Sequence, residues 1–142
     1  MTSDAPTDVE ITRLGAQGDG VADTTDGPRF IPFALPGERW RLTPDAPSEC
    51  LAPRPDRAPA RCPHFHRCGG CVAQHMPDQL YRDWKRRIVV DAFAHRGLEP
   101  EVRDLEHVPE RSRRRAVLTA RRRGGTLGLG FNRMGTNDVE PM

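Results

Sequence analysis

The chain has 142 residues, of which 36% are hydrophobic, 6% aromatic and 30% charged, with 13 Gly, 14 Pro and a net charge of +2. This composition favours one ordinary domain or two small ones with thin cores, and the longest aliphatic run, 88–90, is far too short to cross a membrane. Because residues 1–9 also lack the apolar run of a secretory signal, we expect a cytoplasmic protein without membrane association, in which clustered cysteines hold metal rather than form disulfides.

The N-terminal part alternates short apolar stretches with Gly, Asp and Pro. Strands are predicted at 9–14, 21–22, 30–33, 39–42 and 48–51. Short strands at intervals of about ten residues are typical of a small closed barrel, so we take residues 8–53 as an OB-like barrel domain. Its aromatic residues Phe30, Phe33 and Trp40 are predicted to be core residues rather than base-stacking platforms. Residues 54–61, rich in Pro and Arg, are predicted to be an extended linker.

Three cysteines follow the linker in a tight cluster. Cys62, Cys68 and Cys71 have the spacing C-x5-C-x2-C. Thiolate sulfur is a soft ligand that favours zinc or iron–sulfur clusters. Structural zinc usually takes two C-x2-C pairs or one pair with two histidines, whereas three cysteines in one loop with a remote fourth are typical of iron–sulfur proteins. The spacing therefore favours an iron–sulfur cluster.

The fourth ligand of such a centre is not evident from the spacing. His64, His66 and His75 lie close enough in sequence to keep a zinc site of three cysteines and one histidine open. Cys50 is the only other cysteine and lies on the last predicted barrel strand, which makes it a weak substitute. The identity of the metal, iron–sulfur or zinc, stays open at this point.

A long amphipathic helix is predicted from Pro77 to Arg96. Proline suits the first helical turn, and an apolar stripe recurs every fourth residue at Leu80, Trp84, Ile88 and Ala92. Gly97 is predicted to end the helix. Beyond it, strands are predicted at 102–108, 113–123 and 126–131, the last two joined by a Gly124-Gly125 hairpin turn.

Positive charge is concentrated in the second half of the chain. Residues 1–58 carry a net charge of −4 and residues 59–142 a net charge of +6, almost entirely from arginine. Guanidinium groups bind phosphates and stack on bases, so a hairpin rich in arginine predicts a nucleic-acid surface. The candidate RNA-binding residues, within a stretch that contains no acid, are Arg111, Arg113, Arg114, Arg115, Arg121, Arg122 and Arg123.

The order of these motifs resembles one enzyme family. Residues 11–22 and 30–38 are similar to a TRAM domain, which is an OB-like RNA-binding barrel. Residues 61–75, with Cys-Gly-Gly-Cys and Gln-His at fixed offsets, resemble the cluster segment of bacterial RNA (uracil-5-)-methyltransferases. The similarity continues through 113–115 and the Leu-Gly-Leu-Gly-Phe strand at 127–131.

The resemblance implies a [4Fe-4S] cluster held by Cys62, Cys68 and Cys71 together with a fourth cysteine, which we expect beyond Met142. It also implies a catalytic domain, a Rossmann-like fold that binds S-adenosylmethionine and carries a cysteine nucleophile and a glutamate base. We expect that domain to lie beyond this stretch too. No catalytic or cofactor-binding residue is therefore assigned here, and the 142-residue chain is expected to be inactive alone, with a labile or unfilled cluster.

Taken as a whole, the sequence predicts a mainly β fold with one long helix: a TRAM-like barrel, a linker, and an iron–sulfur segment with part of a central RNA-binding domain at 62–142. The expected partner is RNA, 23S rRNA first and transfer RNA second, bound by a monomer. The main alternative is a zinc-stapled RNA-binding module without catalysis. A redox sensor built on an incompletely ligated cluster is a third alternative.

Overall fold

The structure, a computed structural model, describes residues 5–109 and 112–141. Within them the elements are β1 (Thr7–Glu10), β2 (Arg13–Leu14), β3 (Gly20–Thr24), β4 (Gly27–Ile31), β5 (Arg39–Leu42), β6 (Glu49–Ala52), α1 (Asp78–Ala94), β7 (Thr119–Arg123), β8 (Thr126–Asn132) and β9 (Val139–Pro141). Strands form three small antiparallel sheets beside a single helix in these ranges. The predicted mainly β architecture with one long helix is therefore confirmed.

The N-terminal strands form two sheets of three strands, ordered β1–β5–β6 and β2–β3–β4. The chain passes directly from one sheet to the other at residues 11 and 12. There the Ile11 N–H donates to the Glu38 carbonyl and the Thr12 N–H donates to the Val21 carbonyl, each at 2.9 Å. Because apolar side chains alternate along these strands, both sheets contribute to one hydrophobic cluster, formed by Ile11, Ala22, Ile31, Ala34 and Trp40.

The expectation of a closed, five-stranded barrel is wrong. The predicted strand 9–14 is divided into β1 and β2 by the bend at residues 11 and 12, which gives six strands between Thr7 and Ala52. In the described ranges no pairing joins the outer strands β4 and β6, so the sheets do not close into a ring. Closure requires each strand to pair along both edges, and strands of two to five residues are too short to do so around a full circle.

The three aromatic residues assigned to the barrel core have different environments. Trp40 is buried in the cluster, as predicted. Phe33 is partly buried and packs against Phe65 of the cysteine segment, with ring centroids 5.1 Å apart. Phe30 is 62% exposed, so its assignment to the core is wrong. It lies on the outer face of β4, next in sequence to the buried Ile31, because neighbouring side chains on a strand point to opposite faces.

Gly20 begins β3 where the segment between β4 and β5 leaves no room for a side chain. A Cβ atom at residue 20 would lie 2.7 Å from both the Cβ and the carbonyl oxygen of Ala34. We expect Gly20→Ala to lower the free energy of unfolding by about 1–3 kcal/mol in urea denaturation, because the buried Ala34 backbone must move to admit the methyl group. The matched control is Gly15→Ala, whose nearest contact would be the Phe30 ring at 3.4 Å. An equal or larger loss for Gly15→Ala would contradict this account.

The predicted linker, 54–61, lies against the N-terminal sheets and supplies the partner of a buried acid. Glu38 is fully buried, and its carboxylate accepts bonds from Arg57 Nη1 at 2.6 Å, the Leu35 N–H at 2.9 Å and Trp40 Nε1 at 3.0 Å. Burial raises the pKa of Glu38, but these bonds outweigh that effect, so its pKa lies below the usual range. The linker is therefore fixed by a buried, satisfied ion pair.

Helix α1 begins one residue later and ends two residues earlier than predicted. Trp84 is buried, and its Nε1–H donates to the Gly15 carbonyl at 2.9 Å. Leu80 and Ile88 of the predicted apolar stripe also pack inward, whereas Ala92 is exposed. Tyr81, which is not part of the predicted stripe, packs inward as well. The helix thereby shares a second hydrophobic cluster with the N-terminal sheets, whose buried members are Leu35, Met76 and Trp84.

The end of α1 follows the predicted glycine stop. Gly97 has a φ of 68°, which favours glycine, and its N–H donates to the Ala94 carbonyl at 2.9 Å. The Leu98 N–H donates to the Phe93 carbonyl at 3.1 Å, which completes the bond pattern of a Schellman motif. No helix in the described ranges is long and apolar enough to cross a membrane.

The C-terminal sheet has the order β7–β8–β9. Its hairpin and the Gly124-Gly125 turn are confirmed, with Arg122 opposite Leu127 and Thr119 opposite Gly130. The strand predicted at 102–108 is wrong, since that segment is irregular and packs along α1, where Arg82 donates to the Leu105 carbonyl. The strand predicted at 113–123 is correct only from Thr119, because the residues before it have no partner strand within the described ranges. Strand β9 has no periodic apolar pattern and was not predicted.

Candidate functional site

The cysteine loop, residues 62–71, winds through consecutive turns. The Phe65 N–H donates to the Cys62 carbonyl at 3.1 Å, and the Cys68 N–H donates to the His64 carbonyl at 2.9 Å. Cys68 is buried, whereas Cys62 and Cys71 are partly buried. The loop then pairs with the end of β8, where the Gly69 N–H donates to the Asn132 carbonyl at 2.9 Å.

Two of the three sulfurs accept hydrogen bonds. The Gly70 N–H lies 3.3 Å from Cys68 Sγ, and Gln74 Nε2 lies 3.0 Å from Cys71 Sγ. The same Gln74 side chain accepts the Cys62 N–H on its oxygen at 3.0 Å. Gln74 thus connects the first and last cysteines of the loop, and N–H donors directed at sulfur can orient and tune thiolates that hold a metal.

The pKa of the Cys71 thiol depends on burial and on the rest of the loop. Burial raises its pKa, the Gln74 amide opposes that shift, and the negative charges of Cys68 and Cys62 raise the pKa further. Thiolates in one loop repel one another, and a bound cation removes that repulsion. The chemistry of the donors therefore fits a soft cation at this loop, although in the described ranges no group of three or more His, Cys, Asp and Glu side chains is arranged to hold a metal ion.

The other predicted ligands lie elsewhere. Cys50 pairs with Trp40 across β5 and β6 and packs against the first hydrophobic cluster. His66 packs edge-on against Phe33, with ring centroids 4.5 Å apart. His75 is fully buried beside the same ring, and in the described part of the chain neither of its ring nitrogens has a hydrogen-bond partner. The structure thus keeps Cys62, Cys68 and Cys71 in one loop, without arranging them as a metal site within the described residues, and leaves Cys50 apart on β6.

A buried glutamate anchors the cysteine loop to the C-terminal sheet. Glu140 of β9 is 3% exposed, and its carboxylate lies 3.0 Å from His64 Nδ1 and 2.9 Å from both Arg67 Nη2 and Arg133 Nε. The bond from His64, helped by the two arginines, holds the pKa of Glu140 below its usual range. Sequence reasoning missed this group, because a single acid in a loop-rich tail gives no local signal.

The predicted arginines do not form one surface. Arg111 lies outside the described residues, and Arg113, Arg114 and Arg115 lie in the exposed segment before β7. On β7, Arg121 and Arg123 share one face, and their guanidinium nitrogens lie 3.7 Å and 2.8 Å from Asp138 Oδ1. Arg122 points to the opposite face, because side chains alternate along a strand.

A cleft of about 560 Å³ lies where the loop between β2 and β3, the cysteine loop and the C-terminal sheet meet. Its lining combines charged, amide, apolar and aromatic side chains with the Gly69-Gly70 backbone. The side chains that line it are those of Gln17, Asp19, Val72, Val117, Thr119, Phe131, Asn132, Arg133 and Met134. The cleft is open to solvent and lies beside the predicted metal ligands. Arg133, which lines the cleft, also bonds to the carboxylate of Glu140.

Comparison with known proteins gives a consistent result along nearly the whole chain. No protein-family model matches it. An uncharacterized RNA methyltransferase of Brucella suis is 41% identical over 143 residues, which cover 98% of the chain and 34% of that protein. One from Rhizobium meliloti is 44% identical over 141 residues, which cover 92% of the chain and 34% of that protein.

The similarity extends to enzymes with a named substrate. The 23S rRNA (uracil(1939)-C(5))-methyltransferase RlmD of Chromohalobacter salexigens is 37% identical over 143 residues, covering 92% of the chain and 30% of that enzyme. The corresponding enzyme of Alkalilimnicola ehrlichii is 33% identical over 141 residues, covering 89% of the chain and 32% of that enzyme. The chain thus spans about a third of the length of the curated relatives it matches.

Proposed function

Because the chain is homologous to the N-terminal third of RNA methyltransferases, we propose that it is the RNA-binding and cluster-holding part of an S-adenosylmethionine-dependent RNA (uracil-5-)-methyltransferase acting on 23S rRNA. The observation that carries this proposal is the 33–44% identity to such proteins over most of the chain. Methyl transfer itself would require the remaining two-thirds of the relatives' length.

The proposed cofactor is a [4Fe-4S] cluster held by Cys62, Cys68 and Cys71. The support is the softness of the three neighbouring thiols and the N–H donors at two sulfurs. When bound, the cluster supplies a rigid cross-link, while Gln74 and Glu140 orient the loop against its neighbours. Strand β9 lies beside the cysteine loop through Glu140, so a fourth ligand following β9 in a longer polypeptide would be close by.

The cluster proposal is tested by anaerobic reconstitution with iron and sulfide. Because the chain supplies three of the proposed ligands, we expect iron and sulfide to bind in equal amounts but to be lost readily on exposure to air, and neither to bind to Cys68→Ser. Cys50→Ser is the matched control, because Cys50 packs in the first hydrophobic cluster, and it should retain wild-type iron. Stoichiometric zinc without iron, or loss of the metal in Cys50→Ser, would overturn the assignment and favour the zinc-stapled module.

The substrate proposal is tested by removing the gene and measuring 5-methyluridine in purified 23S rRNA and transfer RNA by mass spectrometry. We expect loss of one 5-methyluridine from 23S rRNA and its return when the gene is restored. Loss from transfer RNA alone would replace the proposed substrate. Unchanged 5-methyluridine in both RNAs would reject the proposed activity.

A further inference from the structure

Two depressions meet on one face of the C-terminal sheet. Beside the cleft described above lies a groove of about 220 Å³, lined by Arg121, Arg123, Thr126, Gly128, Arg133, Asp138 and Val139. Arg133 lines both depressions. Thr119 of the cleft and the groove residues Arg121 and Arg123 occupy alternate positions of β7, so they point to the same face. Cleft and groove therefore form one continuous surface, which we call the β7 track.

The groove part of the β7 track is suited to phosphate. The side chains of Arg121, Arg123 and Arg133 are 45%, 78% and 51% exposed. Gly128, directly opposite Arg121 on β8, adds no side chain to the groove. Asp138 Oδ1 lies near one nitrogen each of Arg121 and Arg123, Glu140 engages the Nε of Arg133, and a guanidinium has five N–H donors. Donors remain for an anion, and the two exposed ion pairs with Asp138 are weak competitors for it.

The cleft part of the β7 track is suited to an unstacked base. Its volume of about 560 Å³ accommodates a nucleotide-sized group. Gln17 and Asn132 offer amide donors and acceptors that can pair with the edge of a base, and Asp19 offers a carboxylate that can accept from a base N–H. Phe131 offers an aromatic ring on which a base can stack. The backbone of Gly69 and Gly70 forms one wall, so a base here would lie against the cysteine loop.

We propose that the β7 track binds a single-stranded RNA segment, with phosphates on Arg121, Arg123 and Arg133 and one unstacked base in the cleft. This inference rests on the proposed RNA-binding function and specifies its surface. A duplex is excluded from this mode, because a paired and stacked base cannot enter the cleft. Arg114 and Arg122 contribute only general charge, since neither lines the track.

The phosphate half is tested by fluorescence anisotropy with a labelled oligouridine of about 12 nucleotides. We expect the double variant Arg121→Gln/Arg123→Gln to bind about tenfold more weakly, and the slope of log K against log salt to fall by about 1.4, because two phosphate contacts are lost. The control Arg114→Gln/Arg122→Gln removes the same charge elsewhere and should change affinity less than about twofold. Asp138→Asn should instead strengthen binding, because it frees both track arginines.

The base half is tested with a matched pair of exposed valines. Val117 lines the cleft and is 89% exposed, whereas Val108 is 68% exposed and lines neither depression. We expect Val117→Asp to weaken oligouridine binding about tenfold, because it puts a carboxylate where the base enters, and Val108→Asp to leave it within about twofold. Circular dichroism should show the wild-type fold for both variants, since both side chains are exposed.

The outcomes separate the track from RNA binding in general. If the wild-type protein binds oligouridine but the two arginine double variants lose equal affinity, the β7 track is overturned and the proposed function stands. The same conclusion follows if the two valine variants lose equal affinity. Absence of wild-type binding to oligouridine and to a 23S rRNA transcript alike would reject the RNA-binding function itself. Equal affinity for a duplex of the same length would overturn the single-stranded specificity.

Discussion

Replacing Glu38 with alanine is expected to lower the free energy of unfolding by about 3–5 kcal/mol, the largest stability effect of any single substitution considered for this chain. The substitution removes the acceptor of Arg57 Nη1, of the Leu35 N–H and of the Trp40 indole. Arg57 keeps its bond to the Phe33 carbonyl but loses its ion pair, and the other two donors are left unsatisfied near the core. Since a domain of this size is stable by about 5–15 kcal/mol, urea denaturation should show the midpoint displaced far toward lower urea.

Two variants give this prediction its controls. Glu38→Gln retains an acceptor for Leu35 and Trp40 but removes the negative charge beside Arg57, so its loss should be smaller than that of Glu38→Ala. Glu10→Ala removes an exposed glutamate from β1 and should change stability by less than about 0.5 kcal/mol. If Glu38→Ala loses no more than Glu10→Ala, the buried ion pair does not stabilise the fold.

Acidification is expected to destabilise the protein through His75. Its pKa is lowered to about 4, first by burial and then by the nearby positive charge of Arg57. The negative charge of Glu38 opposes this lowering of the pKa, and His66 adds to it. The Phe33 backbone also raises the pKa, although neither ring nitrogen of His75 has a well-formed hydrogen bond within the described residues. The folded state therefore requires the neutral imidazole, while the unfolded state accepts a proton at the ordinary pKa of about 6.5.

The difference between the folded and unfolded pKa of His75 determines how stability changes with pH. The unfolded state binds more protons between about pH 6.5 and pH 4, so stability is complete above this window and falls as the pH decreases through it. The expected loss from His75 is about 2 kcal/mol at pH 5 and about 3 kcal/mol well below pH 4. Urea denaturation at pH 7.5, 6 and 5 measures it, each buffered at equal ionic strength.

A matched pair of histidine variants isolates this effect. His75→Leu removes the titrating group and should cost little at neutral pH, because the ring makes no hydrogen bond that leucine would lose. Its stability should fall much less than that of wild type between neutral pH and pH 5, with a remainder from His66, whose pKa is also lowered by burial. His95→Leu replaces an exposed histidine at the end of α1 and should keep the wild-type pH dependence. Equal pH dependence in wild type and His75→Leu would rule out His75 as the source.

Local patterns predicted those parts of the fold that depend on neighbours in sequence. The fourfold apolar spacing and the glycine stop predicted α1, because helical bonds join residues four apart. The Gly124-Gly125 turn predicted the β7–β8 hairpin, because both strands lie within a few residues of it. The strand predicted at 102–108 is wrong because an alternating pattern of apolar residues does not say whether a partner strand exists.

Several functional contacts join residues that are far apart in sequence. His64 and Glu140 are 76 positions apart, and Trp84 bonds to the Gly15 carbonyl across 69 positions. Nothing in either local segment specifies the other, so the anchoring of the cysteine loop was invisible to sequence reasoning. The same holds for Glu38, which looks like an ordinary turn residue until the linker folds over it with Arg57.

The sequence by itself determined which chemical groups are available: three cysteine thiols at a fixed spacing, an arginine-rich second half, and the resemblance to RNA methyltransferases that the homology then confirmed. Only the tertiary structure decided which groups act together. It separated Arg121 and Arg123 from Arg122, left Cys50 with the first hydrophobic cluster, and placed the cleft against the cysteine loop. The physical reason is that residue type fixes what a side chain can bind, whereas packing and strand alternation fix which side chains share a surface.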